Sequence, residues 1–206
     1  MGMADEGVQP ITDADGKVLY TLMKLSVPVA KALRAGVEAT VPKAAAGMRY
    51  LQEWARRSAA PMRWVTPVGM PVLNWAEGQE VHSVEIRSMG VKAVLLSRNT
   101  GKYEPGKAAD AIAPNFVHSL DGAHLCMVLH ECPFEVVPIH DSFAALACDV
   151  PHLHGVLRST FIELYSGDPL SQLQATPLRE GQEEPVRPAP GKLDLRAAAT
   201  SRFMFC

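Results

Sequence analysis

The sequence predicts an α+β fold in which helices pack on antiparallel hairpins. Three observations point there. Residues 134–148 hold two short apolar runs, rich in Val, Ile, Phe and Ala, around one polar island, His140-Asp141-Ser142. The runs are of strand length and the island of turn length, which predicts a tight hairpin. Residues 62–75 repeat the arrangement, with two strand-like runs around Pro67-Val68-Gly69. Residues 43–59 and 151–167 instead place their apolar residues at helical spacing.

Composition bounds what such a fold does. The chain has 206 residues, enough for one domain or one and a half with a sizeable core. Apolar residues make up 48%, which argues against a disordered chain. No apolar run reaches membrane-spanning length, so no membrane partner is expected. The acidic start, Met1 to Glu6, has neither a signal peptide's apolar stretch nor a transit peptide's arginines. Cys126, Cys132, Cys148 and Cys206 show no CxxC spacing and read as reduced thiols of an intracellular protein. A formal charge of −2 leaves no basic footprint, which counts against a stand-alone nucleic-acid binder.

Residues 1–16 form a polar leader. The run 18–23 fits a strand or a helical turn equally well. Between Val27 and Val41, Ala and Val are frequent, with Pro28 permitted near a helix start and Pro42 near its end. The helix over 43–59 carries Ala44, Met48, Leu51, Trp54 and Ala55 on one face, with Arg49, Glu53, Arg56 and Arg57 around it. After the 62–75 hairpin, residues 81–87 alternate apolar and polar and residues 91–96 are strand-like. Asn99 to Lys102 and Glu104-Pro105-Gly106 read as turns.

Residues 111–130 predict a second long helix, with Pro114 in its first turn. Val117, Leu120, Leu125 and Val128 are its expected buried face. Asn115, His118, Ser119 and Gly122 share another face, because positions three, four and seven apart are helix neighbours. That polar face reads either as solvated surface or as a contact for a sugar–phosphate backbone. Zinc ligation by His118, Asp121, His124 and His130 is disfavoured, since their steps rotate successive ligands apart. Beyond the 134–148 hairpin, Leu153, Val156, Leu157, Phe161 and Leu164 stripe a helix, with Asp149 as its N-cap and Gly167 as its close. A short helix begins at Asp168. Residues 175–191, rich in Pro, Glu and Gly, read as an exposed loop, and Phe203 and Phe205 are expected to dock the terminus on the body.

Asp141 carries the chemistry of the 134–148 hairpin. A carboxylate between apolar strands needs a partner. It either caps backbone N–H groups in an Asx-type turn or sits at a cleft rim to hold a metal.

The run from Ala113 to His124, followed by Ile139-His140-Asp141-Ser142-Phe143, closely resembles the C-terminal part of single-subunit, phage-type RNA polymerases. Trp64-Val65-Thr66-Pro67 with Gly69 and Pro71-Val72, and the ending Gly191-Lys192-Leu193 through Phe205, resemble the same family. The likeness covers most of the chain from about Lys43 onward, and the order and spacing of four motifs make it specific. It implies a partial right-hand palm, with residues 1–42 as leader and remnant of a fingers helix and residues 43–206 as the C-terminal palm and fingers portion. It implies that Asp141 holds Mg2+ for two-metal nucleotidyl transfer and that His140 sits beside the metal near the primer end. The face of Asn115, His118, Ser119 and Gly122 would then lie along the RNA–DNA hybrid. The implied partners are DNA template, RNA product, nucleoside triphosphates and the missing N-terminal part of the enzyme. The compartment stays open between a phage or bacterial cytoplasm and a mitochondrion or plastid.

The chain also departs from the family pattern. The family's second metal-binding aspartate and its lysine- and tyrosine-bearing fingers helix have no match in residues 1–42, where Asp13 and Asp15 lack strand context. Ala144 stands where glycine is common. The expectation is therefore a polymerase fragment that makes no RNA alone, that exposes apolar surface and that depends on a partner. The alternatives are a non-catalytic remnant or binding module retaining the palm fold, and a piece of an A-family DNA polymerase, which the His-Asp-Ser turn disfavours.

Overall fold

In the computed structural model, residues 11–12, 18–20, 22–86, 91–139, 141–173, 176–201 and 203–204 are described. The leader with Asp13 and Asp15, together with His140 and Phe205, lies outside them. The chain divides into two units, Met1–Gly47 and Met48–Cys206.

In the first unit, β1 (Ile11–Thr12) pairs antiparallel with β2 (Val18–Tyr20), and α1 (Leu22–Thr40) follows. The ambiguous run 18–23 is thus a strand that hands over to a helix. Pro28 falls inside α1, beyond its first turn, where its ring removes one helical hydrogen bond. Pro42 does not close that helix. It opens α2 (Pro42–Arg57), the position where a missing N–H costs nothing. Val41 joins the two helices, giving its N–H to the Val37 carbonyl at 2.9 Å and accepting from the Ala45 N–H at 3.1 Å. Val29, Leu33 and Val37 of α1 are exposed.

The second unit is built around α3 (Pro105–Glu131), whose 27 residues make a rod about 40 Å long. It begins well before Pro114, at Pro105, so the predicted turn at Glu104-Pro105-Gly106 is its N-cap and first residues. Pro114 sits inside the helix. The buried stripe runs Ala108, Ile112, Phe116, Leu120, Ala123 and Val128, with Ser119 and His124 beside it. Its steps of three to five follow the helical period of 3.6. Val117, expected inside, falls off that stripe and is 50% exposed.

Two apolar clusters hang on this one helix. The first joins Tyr50, Leu51 and Ala55 of α2, Met62 and Trp64 of β3 (Met62–Val65), and Ile112, Phe116 and Leu120 of α3. The predicted hairpin is present, with β3 antiparallel to β4 (Pro71–Asn74) and Val65 opposite Pro71. Gly69 takes φ 85° in its turn, a conformation glycine adopts without strain. Two buried polar side chains tie this hairpin to α3. Trp64 Nε1 donates to Ser119 Oγ at 2.8 Å, and Ser119 donates onward to the Phe116 carbonyl at 2.7 Å. Asn74 Nδ2 donates to the Ala108 carbonyl at 3.0 Å, while its Oδ1 accepts from Asn115 Nδ2 at 2.9 Å.

The second cluster joins Val128 of α3 to Leu153, Val156 and Leu157 of α4 (Val150–Ser166), with Phe134, Val136, Phe143 and Ala145 packed against it. Asp149 stands at the N-cap of α4 but gives no side-chain capping bond, since its backbone is itself helical at φ −94°, ψ −13°. Gly167 closes the helix in an extended conformation. A 3-10 turn at Pro169–Gln172 follows, capped by the Asp168 carboxylate, which accepts from the Leu170 N–H at 3.2 Å.

Between β4 and α3 runs a two-stranded ribbon, β5 (Glu77–Ile86) against β6 (Val91–Tyr103). The expected turn at 99–102 is instead part of β6. Glu77 pairs with Tyr103 but Gln79 pairs with Asn99, so extra residues bulge on β6. Gly101 takes φ 70° there, and its N–H reaches Glu77 Oε1 at 2.5 Å. The turn-forming residues were real signals, absorbed by a bulge.

The Pro-rich segment after Gln172 is tied to α2. Ala59 donates to the Pro177 carbonyl and Arg179 to the Arg57 carbonyl, both at 2.8 Å. The Arg57 and Arg179 side chains donate to the Glu183 and Ser58 carbonyls in turn. The C-terminal segment ends in α5 (Ala197–Thr200), whose Ala199 and Ser201 carbonyls accept from Arg158 of α4. Phe203 is 77% exposed, so this arginine clasp, rather than a buried Phe203, holds the tail. Among the described residues, no helix is long and apolar enough to cross a membrane.

Removing the Ser119 hydroxyl strands a buried indole N–H. Ser119→Ala is expected to lower stability by about 1–3 kcal/mol in urea unfolding, and an unchanged midpoint would contradict the role given to this bond.

Candidate functional site

The apolar runs of residues 134–148 form β7 (Val137–Ile139) and β8 (Ser142–Ala144), paired antiparallel with Ile139 opposite Ser142. That register puts Asp141 at the turn and moves Ser142 into the strand. Phe143 and Ala145 point into the second apolar cluster, which seats the hairpin against α4. Asp141 is thereby held at the tip, exposed to solvent. Among the described residues, no donor is bonded to its carboxylate.

The tip does not stand alone. Asp141 and Phe143 line one side of a cavity of about 580 Å³. His118, Asp121, Gly122, His124 and Leu125 of α3 form a second wall, and Phe161 and Tyr165 of α4 a third. Helical spacing explains the α3 wall, since residues 118, 121, 122 and 125 are neighbours at steps of three and four. The volume is within the range of small-ligand sites.

The sequence-predicted residues therefore separate. Asp141, His118 and Gly122 come together on the cavity. Ser119 does not share their surface. It is 7% exposed, and its hydroxyl is engaged by Trp64 and Phe116, so the polar face expected of it is core. The period of 3.6 places residue 119 a full turn-quarter away from 118, toward the buried stripe. Asn115 is exposed but lies off the cavity, with its amide bound to Asn74. His140 lies outside the described residues.

Asp121, His124, Phe161 and Tyr165 are cavity residues that sequence reasoning did not propose. Asp121 was legible as the i+3 neighbour of His118. Tyr165 was legible as the i+4 neighbour of Phe161 on the apolar stripe of α4. Burial raises the Tyr165 phenol above the usual tyrosine value, and the negative charge of Asp121 pushes the same way. Two carboxylates at the cavity and a phenol that resists ionisation make the site a receiver of cations or hydroxyl donors. Among the described residues, no group of three His, Cys, Asp or Glu side chains converges as a metal cage.

Comparison with known proteins follows this geometry. The family profile described as DNA-dependent RNA polymerase matches residues 9–187, which includes the stretch upstream of Lys43 where no motif was identified. The DNA-directed RNA polymerase of Pseudomonas phage phiKMV is 35% identical over 176 residues, 82% of this chain and 21% of the phage protein. The mitochondrial DNA-directed RNA polymerase 1B of Nicotiana tabacum is 33% identical over 150 residues, 70% of this chain and 15% of that protein. DNA-directed RNA polymerase 2A of Nicotiana tabacum is 32% identical over 170 residues, 77% of this chain and 49% of that protein. The chain thus spans between about a seventh and a half of the length of these relatives.

A phenol whose folded-state pKa is raised leaves stability intact below the ordinary value of about 10 and withdraws it as pH climbs through the higher folded value. Absorbance titration of phenolate is expected to show Tyr165 ionising late, and the chain losing stability above about pH 10. Tyr165→Phe should flatten that alkaline loss; an identical pH profile would refute the environment described.

Proposed function

The chain belongs to the DNA-dependent RNA polymerase family, and on that premise we propose that it is the C-terminal palm and fingers portion of a phage-type polymerase, supplying Asp141 to template-directed nucleotidyl transfer. The observation that carries this reading is the shared cavity. A solvent-facing carboxylate on a tight hairpin and the His118–Gly122 turn of α3, from separate motifs of the resemblance, line the same space.

The donor chemistry fits the family's metal. Magnesium prefers oxygen ligands and is commonly held by one or two carboxylates together with substrate phosphates, so an exposed single carboxylate suits a shared site better than a closed cage. Asp141 is the residue that would hold it. Bound there, magnesium supplies activation of a 3′ hydroxyl and neutralisation of a departing pyrophosphate. The chain's own residues shape the surroundings. The β7–β8 hairpin fixes where the carboxylate stands, because Phe143 is anchored in the second cluster. Gly122 leaves the α3 wall without a side chain, and an added Cβ there would meet no atom within 4 Å. His118 presents an imidazole beside it, suited to contacting the backbone or minor-groove edge of an RNA–DNA hybrid. His140, next to Asp141 in the sequence, is assigned to the primer end. Asn115 acts from further back, by fixing α3 to β4 through Asn74.

One hairpin carboxylate does not hold two metal ions, and the family's second aspartate has no match in residues 1–42. The 206-residue chain is therefore proposed to be inactive alone and to work with the remainder of a polymerase of this family. Its partners would be DNA template, RNA product and nucleoside triphosphates.

The test is magnesium-dependent extension of RNA on a primed template. Three mixtures are compared: the chain alone, the chain with the upstream half of a family polymerase, and the same pair with Asp141→Ala. Extension only in the second, reduced at least about 10³-fold in the third, is expected. Extension by the chain alone would overturn the proposed dependence. Inactivity of a demonstrably associated pair would favour a non-catalytic remnant.

A further inference from the structure

His124 takes no part in the chemistry proposed above, yet from its place in the α3 wall of the cavity it is a polar side chain that reaches across to α4. It is 9% exposed. Its Nε2 lies 3.0 Å from the Leu157 carbonyl and 3.1 Å from Thr160 Oγ1. A carbonyl only accepts. The Thr160 hydroxyl sends its own proton to the Val156 carbonyl at 2.7 Å, so it too turns a lone pair to the imidazole. Both partners therefore require Nε2 to carry the proton. The other tautomer would set lone pair against lone pair in a buried seam, a costly arrangement.

The same ring meets Phe161 edge-on, with centroids 5.8 Å apart and planes at 86°. Phe161 in turn lies 4.6 Å from Tyr165 at 48°. An unbroken aromatic row thus leads from the buried hydrogen bond to the cavity wall, and Phe161 and Tyr165 line that wall opposite Asp141. An aliphatic residue at position 124 would fill the volume but would leave α4 free to slide or rotate against α3, since apolar contacts are non-directional.

We propose that His124 is a positioning residue of the polymerase site: its Nε2–H, shared between Leu157 and Thr160, sets the register of α4 on α3 and so the angle at which Phe161 and Tyr165 face the cavity. This rests on the polymerase reading for what enters the cavity, namely the end of a nucleic-acid strand whose base packs on the aromatic wall. It does not rest on that reading for the geometry of the wall. Stacking on an aromatic side chain tolerates any base, which suits a site that handles every sequence.

The experiment separates the two. In the full chain labelled with 15N-histidine, NMR is expected to find His124 Nε2 carrying a proton. Ring-proton shifts of Phe161 and Tyr165 should move in His124→Leu, stay near wild type in His124→Gln, whose amide nitrogen reaches the same place, and move by a smaller step in Thr160→Val. In the reconstituted extension assay, His124→Leu should raise KM for the primed template about tenfold with kcat nearly unchanged, and His124→Gln should restore it. Identical ring shifts in all variants, or a glutamine variant as impaired as the leucine one, would overturn the positioning role. Should the wild-type mixture make no RNA, the polymerase reading fails, and the ring shifts alone decide the role of His124.

Discussion

A single helix serves two separate apolar cores, and that constraint governs the second unit. The buried stripe of α3 packs on α2 and the β3–β4 hairpin along its first part, then on α4 at its end. A rod that must meet both partners has little freedom to rotate. Its cavity-facing residues, His118, Asp121 and Gly122, are consequently fixed by packing that happens elsewhere. The Trp64–Ser119 and Asn74–Ala108 bonds lock the first contact in register, because a small rotation of α3 would leave a buried indole N–H or amide without a partner. The precision of the site comes from polar bonds in the core more than from anything lining it.

The hairpins and most helices were legible because their periodicities are local. Alternation over a few residues named β3–β4 and β7–β8, and a 3.6-residue stripe named α2 and α4. What failed did so where a local signal was outweighed by tertiary context. Pro114 looked like a beginning, but α3 continues through it with buried residues on both sides, Ile112 and Phe116 among them. Asn99 to Lys102 looked like a turn, and its glycine does take a positive φ, but within a paired strand. Spacing alone put Ser119 with His118, although adjacent helical residues diverge by about 100°. Only the position of Trp64, far away in sequence, decides which of the two is inside.

The site divides the same way. Asp141 was readable because a lone carboxylate between apolar strands demands an explanation. His118 and Gly122 were readable through motif resemblance. Phe161, and Tyr165 four residues on, were passed over because an aromatic residue on an amphipathic helix looks like core until the cavity beside it is seen. His124 was hidden for a related reason: its partners are a backbone carbonyl and a hydroxyl on α4, and neither leaves a trace in the pattern of residue types.

The strap that ties the Pro-rich segment to the end of α2 bears on how the molecule comes into being on the ribosome. Arg179 reaches the Ser58 carbonyl across 121 positions, and Arg57 reaches Glu183 across 126. Contacts so distant in sequence form late, after most of the loop entropy has been lost to other pairings. The end of α2 is synthesised long before the segment that covers it. During that interval its carbonyls and the edge of the first cluster face solvent, at the stage when nascent chains are most prone to mispair. Completion of this part of the fold is thus timed by the emergence of the residues past 175, about a seventh of the chain, which close like a stitch over a helix end made long before them.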